Sequence, residues 1–169
     1  VKGKSLKTLP NVVEEALIKY DYDYVFYSAE YTIYNAKVSI LTCGTAPVSY
    51  AMYGHTGIRI TDNVNQIDVV YNYGAFDFTT PNFMMKFVKG DLQYFVTNSS
   101  FIDFYNSYKA ENREIIEQEL NLNANQINQI FQQLNAAVYS ENKYYTYKFI
   151  HKNCTTMVVD KINETLGNQ

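Results

Sequence analysis

Hydrophobic and polar residues alternate along the chain with two periods, one typical of strands and the other of helices. The segments with strand-like runs or alternation are residues 38–42, 56–61, 67–73, 91–97, 113–120 and 144–147. They mix with helical segments in no strict β-α-β order. The pattern therefore predicts an α+β fold.

Helices are predicted where a capping residue stands before apolar residues spaced about 3.6 apart. Asn123 precedes the clearest one, in which the residues at helical spacing are Ile127, Ile130, Phe131, Leu134 and Val138. Asn153 caps the predicted last helix, whose expected buried residues are Val158, Val159, Ile162 and Leu166. Shorter helices are predicted after Ser100 and from Asn82 to Val88, with Pro81 in the first helical turn.

The chain divides into a short extension and one domain. Residues 1–36 are interpreted as an N-terminal extension, with a short helix after Asn11 and a segment at 21–36 that fits either a strand or a helix. Residues 37–169 are expected to form a single domain, which suits a mass of 19.6 kDa for the whole chain. Because the chain begins at Val1 without a charged and then apolar leader, we expect a removed leader or an excised piece.

Composition excludes several classes of function. Seventeen acidic and fourteen basic side chains give a net charge of −3, spread evenly along the chain, so no basic face suited to nucleic acid is expected. The apolar runs are far shorter than the roughly 18 residues that cross a bilayer. With two histidines and two cysteines, few nucleophilic or metal centres can be built.

The predicted hairpin places a carboxamide beside an imidazole. If residues 62–65 form a four-residue loop, Arg59 faces Asp68 and His55 faces Asn72. The same register places the isoleucines and valine of the two strands on one apolar face. A slip of one residue would move these side chains to the opposite face. Asn72 would then hold one ring nitrogen of His55 and fix the tautomer of the other.

Cys154 follows the predicted cap Asn153, so its sulfur is expected in the first turn of the last helix. Free N–H groups and the helix dipole favour a thiolate there, and the same N–H groups can donate to an oxyanion. Together with His55 and Asn72, this thiol supplies the parts of a Cys-His-Asn centre. The order along the chain is the reverse of that in papain, but such centres are defined by geometry.

Three other interpretations of the cysteines stay open from the residues alone. Cys154 fits a small buried residue, and Cys43 is interpreted as a core residue. Cys43, His55, His151 and Cys154 supply four soft ligands for zinc, although their spacings match no common zinc signature. A Cys43–Cys154 disulfide would need an oxidising compartment.

The chain resembles the Lnb N-terminal periplasmic domain family in motifs that occur in the same order. They are residues 38–44 (VSILTCG), 54–60 (GHTGIRI), 70–78 (VYNYGAFDF), 81–83 (PNF), 117–122 (EQELNL), 141–145 (ENKYY) and 153–156 (NCTT). The resemblance covers residues 37 to about 162. Lys152 and Met157 stand where the family usually has Asp and Arg.

The resemblance implies a circularly permuted papain-like fold, an antiparallel sheet with packed helices, similar to NlpC/P60 and to lecithin:retinol acyltransferase. It implies Cys154 as the nucleophile and His55 as the general base. Residues expected near the oxyanion or the substrate are Asn153, Thr155, Tyr53 and Tyr147. No metal or cofactor is expected.

The resemblance also implies a function in the envelope of Gram-negative bacteria. Lnb is associated with N-acylation of lipoproteins, so we expect a thiol acyltransferase that moves an acyl chain from a phospholipid, through a thioester, to a lipoprotein amine. The partners would be these two lipids and the membrane surface. The domain would be periplasmic, tethered to the inner membrane by segments outside this chain. The alternatives are a cysteine amidohydrolase or peptidase and a non-catalytic module that binds lipid or a partner; the oligomeric state stays open.

Overall fold

The computed structural model describes residues 33, 35–47 and 51–167. The predicted helix after Asn11 lies outside these residues, and so does nearly all of the segment 21–36. The strands in the described part are β1 (Lys37–Cys43), β2 (His55–Asp62), β3 (Ile67–Phe76), β4 (Gln93–Ser100), β5 (Ile115–Glu119) and β6 (Tyr144–Thr146). All six strand-like segments of the sequence are therefore strands.

Four helices complete the described part of the chain. They are α1 (Phe83–Lys89), α2 (Phe101–Ala110), α3 (Ala124–Tyr139) and α4 (Cys154–Leu166). The predicted caps Ser100, Asn123 and Asn153 each accept a hydrogen bond from the backbone N–H three residues further along the chain. Local capping chemistry thus sets where three of these helices begin.

Within the described residues, the strands form one antiparallel sheet in the order β5-β1-β2-β3-β4-β6. The predicted α+β class is confirmed, whereas the papain-like permutation stays a prediction. Helices α3 and α4 pack against each other and on one face of the sheet, α3 on β4 and α4 on β2 and β3. Helix α2 covers part of the other face, where Phe104 packs with Leu41, Cys43 and Val70.

The predicted register of the hairpin is wrong by two residues. Gly57, and not His55, lies directly opposite Asn72, and Asp62 pairs with Ile67 at the loop. The carboxylate of Asp62 accepts the N–H groups of the loop residues Val64 and Asn65, which makes Asp62 the last strand residue. A shift of two preserves which side chains share a face, so the expected neighbours still meet, but diagonally.

Arg59 and Asp68 are one such diagonal pair. The guanidinium donates to both carboxylate oxygens of Asp68, at 2.8 and 2.9 Å, and to Glu117 at 2.9 Å. It also lies 3.4 Å from the ring centre of Phe101 at the start of α2. The predicted charge pair therefore forms, and it ties strands β2, β3 and β5 to helix α2.

Two local predictions are wrong. Pro81 does not occupy the first helical turn: Asn82 adopts the left-handed conformation with φ 58°, so α1 begins at Phe83. Val159, expected on the buried side of α4, is 46% exposed, because Val158 takes the position that faces the sheet and is buried.

Candidate active site

His55 is the first residue of β2, and its ring is held by Asn72 on the neighbouring strand. The Nε2 atom of His55 lies 3.0 Å from Oδ1 of Asn72. An amide oxygen only accepts hydrogen bonds, so Nε2 carries the proton and donates it. The neutral ring then keeps the lone pair on Nδ1, which is available as a base.

Gly57 permits this diagonal contact. It lies directly opposite Asn72, and a Cβ at Gly57 would stand 3.3 Å from Oδ1 of Asn72 and 3.2 Å from Val70. Any larger side chain there would crowd the carboxamide that orients His55. The missing side chain at Gly57 therefore preserves the hydrogen bond to the imidazole.

Cys154 is the first residue of α4 and is half-buried. Asn153 and Thr156 form a reciprocal capping box: the Asn153 side chain accepts the Thr156 N–H at 3.0 Å, and the Thr156 hydroxyl accepts the Asn153 N–H at 2.9 Å. The box fixes the first turn of the helix, so the thiol has a defined position relative to β2.

The surroundings of Cys154 favour its thiolate. Burial raises the pKa of the thiol, but the His55 ring opposes it, because a ring that has taken the thiol proton on Nδ1 attracts the thiolate and can donate a hydrogen bond to it. The Thr56 backbone N–H and the Thr155 hydroxyl add to this effect, and the pKa falls from 9.0 to about 7. The thiolate is therefore much more accessible near neutral pH than that of an ordinary cysteine.

Gly74 lies against both reactive groups. It has a φ of +149° at a bulge of β3, where the pairing with β4 shifts between Tyr73 and Ala75. A Cβ on Gly74 would lie 3.1 Å from Cε1 and 3.6 Å from Nδ1 of His55, and 3.7 Å from Cβ of Cys154. Nδ1 of the imidazole and the cysteine are thus adjacent across the face of this glycine.

The other predicted site residues lie around this pair. Thr155 is exposed, with its hydroxyl 2.8 Å from that of Thr56 and 4.0 Å from the Cys154 sulfur. Tyr147 is half-buried, and burial together with the nearby Cys154 charge raises its pKa. Tyr53 is 72% exposed and packs edge-on against Phe149 at 4.9 Å, so it belongs to the rim of the site.

Tyrosines form a wall beside the thiol. The stretch at residues 144–147 permits such a wall in the sequence, as well as the plain strand that its alternation favours. Tyr94 and Tyr145 pair across β4 and β6, and both are buried. Burial and the Cys154 charge raise the pKa of each phenol. Among the described residues, the Tyr145 hydroxyl has no hydrogen-bond partner. The alternation of YYTY at 144–147 indicated a strand, but only the packing of α4 reveals which rings meet the sulfur.

A cleft of about 410 Å³ opens beside His55, between the sheet and α2. Its polar lining includes Asn72, Thr97, Ser99, Asp103 and Ser107. Phe76, Phe78 and Phe104 supply apolar walls. The cleft can therefore take a polar group with an apolar neighbour and bring it to the imidazole.

A model of the Lnb N-terminal periplasmic domain matches residues 18–168. The chain belongs to this family. The match extends, in both directions, beyond the motifs at residues 37 to about 162. No curated protein and no solved structure matches the chain significantly. The family is named for a periplasmic domain, and no helix in the described part of this member is long and apolar enough to cross a membrane.

Lys152 and Met157, which stand on either side of the Asn153-Cys154 pair, make contacts of their own. Lys152 forms a short antiparallel bridge with Lys148, and its ammonium lies 5.6 Å from the ring centre of Tyr145. Met157 is half-buried, and its N–H bonds to the Asn153 carbonyl at 3.0 Å in the first turn of α4.

The zinc and disulfide interpretations of the cysteines do not fit the described residues, whereas Cys43 is a core residue as expected. Cys43 and Cys154 are both free thiols. No group of three or more potential ligands gathers within the described part of the chain, so Cys43, His55, His151 and Cys154 form no zinc centre there. Cys43 is buried under α2, and burial raises its pKa to about 11, as suits a core residue.

Proposed function

We propose that this domain is a thiol acyltransferase with Cys154 as nucleophile, His55 as general base and Asn72 as the residue that orients the imidazole. One observation carries the proposal. His55 is bonded through Nε2 to Asn72 at 3.0 Å, and its Nδ1 lies beside Gly74 next to the cysteine, since a Cβ on Gly74 would be 3.6 Å from Nδ1 and 3.7 Å from Cβ of Cys154. This arrangement supports a nucleophile, a base and an orienting group in the order that cysteine acyl transfer requires.

In the first half of the reaction, Nδ1 of His55 takes the proton of the Cys154 thiol. The thiolate attacks the ester carbonyl carbon of a phospholipid, and the electron pair of the carbonyl bond moves onto oxygen. Backbone N–H groups in the first turn of α4 stabilise this oxyanion. When the intermediate collapses, the carbon–oxygen ester bond breaks, and the lysophospholipid leaves with the proton from His55.

In the second half, the acyl thioester on Cys154 meets an amine, proposed to be the N-terminus of a diacylglyceryl lipoprotein. The amine nitrogen attacks the thioester carbonyl and passes a proton to His55. The carbon–sulfur bond then breaks, the amide product leaves, and Cys154 regains a proton from His55. The polar side of the 410 Å³ cleft beside His55 suits the polar acceptor in this step.

The intermediate can be tested by intact-protein mass spectrometry. Purified protein is incubated with a detergent-dispersed phospholipid, in the absence of any amine acceptor. We expect a mass increase of one acyl chain that hydroxylamine removes, because a thioester is cleaved by this nucleophile. Cys154→Ala should show no increase, and His55→Ala should form the thioester about 10²- to 10⁴-fold more slowly.

Cys43→Ala is the matched control, since it removes the other thiol of the chain. Because Cys43 lies under α2, this variant should still be acylated once it is shown to be folded. Acyl transfer by the folded Cys154→Ala protein would contradict the assignment.

A second candidate is hydrolysis by the same centre, in a cell-envelope amidohydrolase or peptidase. The polar lining of the cleft, which includes Thr97, Ser99, Asp103 and Ser107, favours it, because such a lining also admits water or a peptide. Product analysis separates the two. A phospholipid donor with a lipopeptide amine gives an N-acyl product from a transferase, whereas a hydrolase releases free fatty acid or cleaves peptidoglycan fragments.

A further inference from the structure

Helix α1 presents apolar side chains to solvent where a surface helix normally carries polar ones. Its Phe83 and Phe87 rings pack against each other at 6.1 Å and are partly buried. Met84, Met85 and Val88 point away from the domain, and Val88 is 79% exposed. The helix therefore carries apolar side chains on its solvent side as well as on the side that packs on the domain, and the described residues cover only the second side.

Two further segments extend this exposed surface. The Lys148 ammonium donates to the Gly90 carbonyl at the end of α1, at 2.9 Å, which brings residues 148–150 beside the helix. There Phe149 is half exposed and Ile150 is 76% exposed. The Phe149 ring contacts Tyr53 at 4.9 Å. We name this surface the apolar rim; it consists of Tyr53, Met84, Met85, Val88, Phe149 and Ile150.

Aromatic rings connect the apolar rim with the reactive thiol. Tyr147 lies 5.9 Å from Phe149 and stacks at 4.4 Å on Tyr94 in the wall beside Cys154. From the α1 side, Phe76 lies 5.6 Å from Phe83 and 5.1 Å from the same Tyr94. The apolar rim is therefore joined by contacts between aromatic rings to the tyrosines beside the cysteine.

The charge around the apolar rim is opposite to that of the chain. The segments 83–91 and 147–152 contain four lysines, Lys86, Lys89, Lys148 and Lys152, against the single carboxylate of Asp91, a net charge of +3. The whole chain carries −3. Cations that flank exposed apolar side chains are the pattern of proteins that bind an anionic lipid surface.

We propose that the apolar rim docks on a bilayer that contains anionic lipid, with Met84, Met85 and Val88 inserted at the boundary between headgroups and acyl chains. The four lysines beside the apolar rim contact the lipid phosphates. The active site then opens toward the bilayer that contains the donor lipid. The idea that the bilayer supplies the substrate rests on the proposed acyltransferase function. The docking itself does not depend on that function.

Vesicle co-sedimentation tests the docking without any chemistry, if every variant is made in the Cys154→Ala background. The probes are vesicles of phosphatidylcholine alone and vesicles of equal parts phosphatidylcholine and phosphatidylglycerol. We expect the protein to bind the anionic vesicles more tightly and to be released by salt. Met84→Glu with Met85→Glu should weaken binding about tenfold or more, because two apolar side chains no longer leave water. Lys86→Gln with Lys89→Gln should weaken it by up to about thirty-fold at low salt.

Matched controls lie at distant places in the fold. Val64→Glu changes a side chain that is 71% exposed. Val64 lies in the loop between β2 and β3, at the end of β2 opposite to His55. Lys37→Gln with Lys109→Gln removes two charges at the start of β1 and the end of α2. Both control variants should bind vesicles as the parent does.

Failure to bind anionic vesicles would overturn the docking proposal, and so would an equal loss of binding in the control variants. A self-association that disappears in the Met84→Glu, Met85→Glu variant, without any vesicle binding, would assign the apolar rim to a second copy of the chain. If docking is observed but the Cys154 protein forms no thioester, the acyltransferase proposal fails and the docking stands.

Discussion

Replacement of Gly74 by alanine tests whether the imidazole must stay where the structure places it. The added Cβ would lie 3.1 Å from Cε1 of His55, whereas its separation of 3.7 Å from Cβ of Cys154 is an ordinary contact. A separation of 3.1 Å is tighter than ordinary carbon–carbon packing at about 3.5–4.0 Å, so the imidazole must retreat by a few tenths of an ångström. The perturbation therefore acts on the base and spares the nucleophile.

Two effects of Gly74→Ala can be estimated. Alanine at a φ of +149° is strained, which should cost about 1–3 kcal/mol of the free energy of unfolding. Misplacement by about 1 Å near reacting atoms lowers a rate by about 10²-fold. Because the shift is smaller than 1 Å, we expect thioester formation to slow by up to about tenfold in protein that is still folded.

Gly167→Ala is a control that separates the effect of backbone strain from the effect of displacing the imidazole. Gly167 also has a positive φ, +67°, but a Cβ there would meet no atom within 4 Å. Both variants should lose similar stability in thermal unfolding, and only Gly74→Ala should lose the rate of thioester formation, measured by intact mass. If the two variants form the thioester equally fast, the contact between Gly74 and His55 does not position the base.

Three further predictions concern single side chains. Asn72→Ala should slow thioester formation about tenfold or more with little change in the unfolding temperature, because the ring loses the acceptor that orients it; an unchanged rate would remove Asn72 from the site. At pH 8, iodoacetamide should label Cys154 and leave Cys43 unmodified in peptide mass spectra, because the pKa of Cys43 is raised to about 11; equal labelling of both thiols would contradict this assignment. Tyr71→Phe should cost about 1–3 kcal/mol in denaturant unfolding, since it removes a buried 2.7 Å hydrogen bond to Asn135. Tyr73→Phe, which removes a buried hydroxyl with no partner among the described residues, should cost little, and a larger loss for Tyr73→Phe would contradict the argument.

Features encoded within a few residues could be predicted from the sequence. The capping residue Asn153, followed by apolar residues at helical spacing, was enough to place Cys154 in the first turn of α4. The hairpin pattern brought His55 and Asn72 together, although the register was wrong by two residues. That error did not separate them, because side chains two apart lie on the same face of a strand.

Features that depend on packing between distant elements could not be predicted. Gly74 matters because the first turn of α4 lies against the bulge in β3, and the sequence showed only a glycine just after a predicted strand. The contact of the Thr56 N–H with the sulfur, and the presence of Tyr145 beside it, likewise require α4 to be seated on the sheet. Such contacts join residues up to 99 positions apart, as in the hydrogen bond between Thr56 and Thr155.

The pH dependence of Cys154 alkylation tests the central claim most directly, namely that His55 lowers the pKa of this thiol. It is best measured with iodoacetamide in the Cys43→Ala background, with and without His55→Ala. The rate should be low in acid, rise as the pH passes the pKa of about 7, and level off once the thiol is fully ionised. In His55→Ala the midpoint should move up towards 9.0 or beyond, because burial then acts on the thiol without the ring to oppose it. The same midpoint in both proteins, or a midpoint near 9.0 with the histidine present, would contradict a cysteine–histidine pair.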